Sequence, residues 1–168
     1  MGNQRSNLDG KNDGEAMDIV IDGNDYYISG WTDNKRGATH YYPTVWKNNQ
    51  NSRKTLKEGT LRRSEVSSND REAYASAITI KNGNIYATGY TYFDNSVTSA
   101  SYWTINFSGN NLSNEIIEFN GGEMKDIVIS DNGDVITVGD GEVWINGDSF
   151  QIIENDFVVY PNSVTISE

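Results

Sequence analysis

The sequence predicts an all-β chain assembled from repeated antiparallel meanders, and three observations carry that expectation. The first is self-similarity. Asp18-Ile19-Val20-Ile21, Ala77-Ile78-Thr79-Ile80 and Asp126-Ile127-Val128-Ile129 each open an alternating run. The second is the shared continuation of these runs: a turn rich in Gly, Asn and Asp, then a strand returning to Gly30, Gly89 or Gly139. These glycines lie 59 and 50 residues apart. The third is composition. Sixteen glycines against 2 prolines suit short strands and tight turns. A length of 168 residues suits one domain with a real core.

In chain order, residues 1–13 read as a polar arm, with Asn7-Leu8-Asp9-Gly10 in the place of a fourth strand from a preceding unit. Residues 14–168 read as one β-repeat domain, with units at 14–72, 73–121 and 122–160 and the start of a fourth at 161–168. Each unit pairs its first two strands as a hairpin, and the period-2 alternation argues for antiparallel pairing. A third strand carries Trp46, Trp103 or Trp144. A fourth apolar piece comes next at Thr55-Leu56, Ile116-Ile117 or Phe150 to Ile153. The third unit is compressed, with 5 residues from Gly139 to Trp144 against 16 and 14 at the matching places. Leu56 to Ala77 has no apolar stripe and reads as a long loop between units, and no helix is predicted. Asn162-Ser163-Val164-Thr165-Ile166-Ser167 repeats the opening of the first strand.

These motifs resemble the blades of bacterial β-propeller repeat proteins. The likeness is carried by Ile-x-Ile, a Gly/Asn turn, Ile85-Tyr86-Ala87-Thr88-Gly89-Tyr90, and then Tyr102-Trp103 with Asn106. The resemblance implies antiparallel four-stranded blades and a propeller-type fold. Three blades are fewer than the roughly 4 to 8 that close a ring. An open or half propeller completed by a partner chain is therefore expected. The resemblance also implies a bacterial cell-envelope or secreted setting, although the polar N-terminus lacks the apolar core of a signal peptide. Function does not follow from such a fold, so it has to be read from sites.

Charge narrows the partners. Residues 1–71 hold 11 basic against 10 acidic side chains, and residues 72–168 hold 2 against 14. The acidic balance argues against nucleic acid, and no apolar run is long enough to span a bilayer. Arg53, Lys54, Lys57, Arg62 and Arg63 form a candidate docking patch. A protein partner is expected, with head-to-tail self-association of basic and acidic halves as one form.

The chemistry-bearing residues point to a non-catalytic module. Trp31, Tyr90 and Tyr92 come after the strand-ending glycines and are the candidate ligand-binding aromatics, suited to carbohydrate. Trp46, Trp103 and Trp144 are assigned to packing between units. His40 is the single histidine, so a serine triad or His-based metal site lacks its partners, and no metal site or catalytic residue is assigned. Cysteine is absent, which removes disulfides and thiolate chemistry. Asp22, Asp25, Asp131 and Asp134 offer oxygens to calcium, but Asp, Asn and Gly are also what tight turns require, and no cofactor is assigned. Glu15, Asp18, Glu123 and Asp126 recur at matching positions, which argues for a structural role. A glycoside hydrolase using two such carboxylates and a purely structural subunit remain the alternatives.

Overall fold

The computed structural model describes residues 13–33, 40–49, 52–59, 71–93, 97–108, 111–120, 122–151, 153–154, 157–158 and 161–166. Among these residues the structure is built of strands, with no α-helix. The first unit comprises β1 (Gly14–Asp22), β2 (Asp25–Asp33), β3 (His40–Lys47) and β4 (Lys54–Thr55). The second comprises β5 (Arg71–Lys81), β6 (Asn84–Phe93), β7 (Val97–Ser108) and β8 (Asn111–Asn120). The third comprises β9 (Asp126–Ile129), β10 (Val135–Gly139), β11 (Glu142–Ile145) and β12 (Asp148–Gln151). A small hairpin, β13 (Ile153–Glu154) and β14 (Phe157–Val158), completes the order.

Within each unit, consecutive strands pair antiparallel, as the alternation predicts. Two expectations are corrected. β5 begins at Arg71, so the interval expected as loop up to Ala77 already supplies the first half of a long strand. The first two units are also joined in one sheet by a short parallel contact, His40 with Arg71 and Tyr41 with Glu72. Glu58 fixes this junction: one carboxylate oxygen lies 2.8 Å from His40 Nε2 and the other 2.8 Å from an Arg71 guanidinium nitrogen. His40 also stacks on Tyr42, a structural placement.

The turns explain the glycine and asparagine content. Asn82-Gly83, Asp140-Gly141 and Asn146-Gly147 all have positive φ, the two-residue geometry that matches strand twist. Asn48 and Asn146 also hold φ of 61° and 54° and lock the neighbouring hairpins. Asn48 Oδ1 accepts from Tyr26 N, while its amide donates to Asp25. Asn146 does the same with Val135 N and Asp134. The Asp25 and Asp134 carboxylates are thus engaged within turn networks.

The strand-ending glycines answer to a different need. The first strands bulge between Ala16 and Asp18 and between Ala75 and Ala77. The bulge pushes a carbonyl against the partner strand. A Cβ at Gly30, Gly89 or Gly139 would lie 1.9, 1.9 or 2.0 Å from the carbonyl oxygen of Glu15, Tyr74 or Glu123. No side chain fits there, so the repeat is written in glycine.

The units pack face on. Ile78, Ala87 and Trp103 form a cross-strand row on the second unit. They pack with Tyr27, Val45 and Leu56 of the first, and Trp103 Nε1 donates to Lys57 O at 2.7 Å. Ile127 and Ile129 of the third unit meet Ala77, with Tyr86 and Tyr102 against them. Trp144 packs on Ala100, Phe119 and Met124. Trp46, Trp103 and Trp144 are all fully enclosed, and Trp103 and Trp144 pack against a neighbouring unit, as expected.

Gly89→Ala is expected to destabilise the chain by about 1–3 kcal/mol through overpacking, lowering Tm by roughly 2–12 °C. Thermal unfolding followed by circular dichroism checks this, and an unchanged Tm would contradict the close approach.

Candidate functional site

The ends of β2 and β6 and the starts of β3 and β5 meet along one rim. Trp31 leaves β2, Tyr41 enters β3, Tyr74 sits on β5, and Tyr90 and Tyr92 leave β6. Their rings form a continuous strip. Trp31 lies 4.3 Å from Tyr41 and 6.2 Å from Tyr74, centroid to centroid. Tyr74 lies 5.9 Å from Tyr41, 5.0 Å from Tyr90 and 6.4 Å from Tyr92. Tyr90 and Tyr92 meet edge to face at 5.3 Å. These are the offset and T-shaped distances at which aromatic quadrupoles attract.

The strip has a floor and a surface. Tyr90 is 8 % exposed and forms the floor, which corrects the expectation that it reaches solvent. Trp31, Tyr41, Tyr74 and Tyr92 are half-buried and present the accessible surface. Charged groups flank them. Tyr74 donates its hydroxyl to Glu72 Oε2 at 2.8 Å. Lys125 Nζ stands 5.5 Å over the Tyr90 ring and pairs with Glu123.

Burial and these carboxylates act together on the phenols. Desolvation, with Glu72 beside it, drives the Tyr74 hydroxyl far above the ordinary phenol range. Desolvation, with Glu123 and then Glu72 adding to it, pushes Tyr90 up to about 12. Both hydroxyls therefore remain protonated donors across the physiological range.

The structure thus brings together the three aromatics singled out from sequence and adds Tyr41 and Tyr74. Neither addition is marked by the repeat pattern. Tyr41 reaches Trp31 across the β2–β3 ladder and Tyr74 through the parallel β3–β5 contact, and Tyr74 sits in the interval expected as loop. The alternation of Arg71-Glu72-Ala73-Tyr74-Ala75 is the available signal.

Other candidates lie elsewhere. Arg53 and Lys54 are half-buried and Lys57 is exposed, while Arg62 and Arg63 lie outside the described residues. Asp131 pairs with Lys81 at 2.5 Å, and Asp22 is exposed. Among the described residues, no three His, Cys, Asp or Glu side chains converge as a metal-holding group. Asp18 and Asp126 accept backbone amides. The chain matches no protein-family model, no curated protein and no solved structure.

Stability is expected to fall as pH climbs from about 10 towards 12. An unfolded tyrosine ionises near 10, whereas folded Tyr90 keeps its proton to about 12, so the native state holds more protons in that window. Tyr90→Phe is expected to make the fall shallower in urea titrations at pH 9 to 12. An identical slope in the variant would contradict the burial of this hydroxyl.

Proposed function

We propose that the chain is a non-catalytic binding module of propeller-type blades, whose ligand surface is the aromatic strip of Trp31, Tyr41, Tyr74, Tyr90 and Tyr92. The face-on stacking of three like meanders supports the propeller-type reading. The joined rings support the binding reading: a half-buried aromatic surface beside polar groups is costly to leave in water and well suited to a ligand with apolar faces.

Carbohydrate is the ligand class that this surface favours. Sugar rings present C–H faces to aromatic planes, and the hydroxyls around them suit Glu72, Glu123 and the tyrosine OH groups. The recurrent acids argue against a hydrolase. Asp18 and Asp126 accept backbone N–H groups, which is a structural task shared by two units.

A glycan array paired with a hydrolysis screen on generic glycosides tests the reading. Glycan binding without product release is expected, weakened about tenfold or more by Trp31→Ala with Tyr92→Ala, given about 0.5–1.5 kcal/mol per aromatic contact. Binding indifferent to the double variant would exclude the strip as the ligand surface. Product release abolished by one Asp or Glu change would establish the hydrolase instead. Absence of any glycan binding would leave the structural-subunit alternative.

A further inference from the structure

The first strands of successive units are tied by one recurring bond. Asp18 accepts Ile19 N through Oδ1 at 2.8 Å, and through Oδ2 it accepts Ile78 N of the next unit at 2.9 Å. Asp126 repeats the arrangement. Its Oδ1 accepts Ile127 N at 2.8 Å, and its Oδ2 accepts Val164 N at 2.9 Å. The Ser163 hydroxyl donates to the same Oδ2 at 2.9 Å. Residues 161–166 therefore occupy, against β9, the place that β5 occupies against β1. They sit at the first-strand position of a fourth unit, held there by Asp126.

The docking position alternates in charge. Asp18 is succeeded by Ala77, Ala77 by Asp126, and Asp126 by Ser163. No two carboxylates meet at a junction, where like charges would repel.

The first and last described segments of this stack both present exposed faces. On β1, Ile19 is 55 % exposed and Ile21 70 %, whereas Ile78 and Ile127, the counterparts of Ile19, are 5 % and 2 % exposed because a preceding unit covers them. At the other end Ser163 and Thr165 are exposed. They match Ala77 and Thr79, and Ala77 is covered by Ile127 and Ile129 of the next unit.

We propose that the exposed Ile19/Ile21 row of one copy docks on the Ser163/Thr165 side of segment 161–166 of a second copy. Charge selects this occupant. By the alternation, the strand before Asp18 carries a small neutral residue at the docking position. Of the described segments at first-strand positions, β5 and 161–166 meet that requirement, and β5 is already covered by β9. The near-neutral first half of one chain also meets the strongly acidic second half of its neighbour, so the contact avoids placing two acidic halves together. The contact is heterologous, running head to tail.

Sedimentation velocity of the whole chain at physiological salt tests this, alongside Ile19→Glu with Ile21→Glu. Both side chains are exposed, so the variant keeps the wild-type circular dichroism spectrum. The wild type is expected to show mass above the monomer as concentration rises, and the variant to lose it. A wild type that stays monomeric at every concentration, or a variant that associates equally well, overturns the proposal. The cysteine-free chain allows a second measurement. Ile21→Cys mixed with Thr165→Cys is expected to give a disulfide-linked dimer in higher yield than either variant alone. Equal or greater linkage of Ile21→Cys with itself overturns the head-to-tail contact.

Discussion

The second and third units depend on the burial of their first strands against the unit before. A four-stranded antiparallel meander is too thin to enclose its own side chains. The row Ile78, Ala87 and Trp103 is removed from water only because Tyr27, Val45 and Leu56 lie opposite. Ile127 and Ile129 are buried only because the second unit supplies Ala77 and the flanking rings of Tyr86 and Tyr102. At about 25 cal/mol per Å² of apolar area, these interfaces dominate the favourable side of folding. On β1 the matching isoleucines, Ile19 and Ile21, are exposed.

Two local devices set the spacing of this stack. A bulge shapes the first hairpins of the first two units, and in all three units a carbonyl lies within 2.0 Å of where a Cβ would be at Gly30, Gly89 and Gly139. The aspartate at the docking position then spans two units with one carboxylate, accepting an amide from each. In the second unit, where Ala77 replaces the aspartate, the Ser76 hydroxyl donates to Met124 O across the next junction. Packing supplies the free energy, and these polar contacts supply the register. The aromatic strip depends on both, because Tyr74 and Tyr90 face each other across the bulged hairpin.

Much of this is legible in the sequence because strand faces and tight turns are written locally. Ile-x-Ile alternation, the Asn-Gly turns and the equivalent tryptophans locate the units and their packed faces. Trp31, Tyr90 and Tyr92 are legible because they sit just beyond glycines that recur. Tyr41 is not, since Tyr74 reaches it through a parallel contact between residues far apart in the chain, His40 with Arg71 and Tyr41 with Glu72. The start of β5 is hidden because Arg71-Glu72 are polar on a strand whose apolar partners lie in another unit. The clamp of Glu58 on His40 and Arg71 carries no local pattern at all. The burial of Tyr90 escapes the sequence for the same reason: burial at a rim depends on neighbours that only the fold brings together.

Residues 161–166 are held against the third unit by the same kind of bond that joins the first two units, Val164 N to Asp126, and amide hydrogen exchange at Val164 measures this directly. Protection is expected at Val164 and is expected to be lost in Asp126→Ala while Ile78 stays protected, with the reverse pattern in Asp18→Ala. Exchange of Val164 at the rate of an unstructured peptide in the unmodified chain would contradict it.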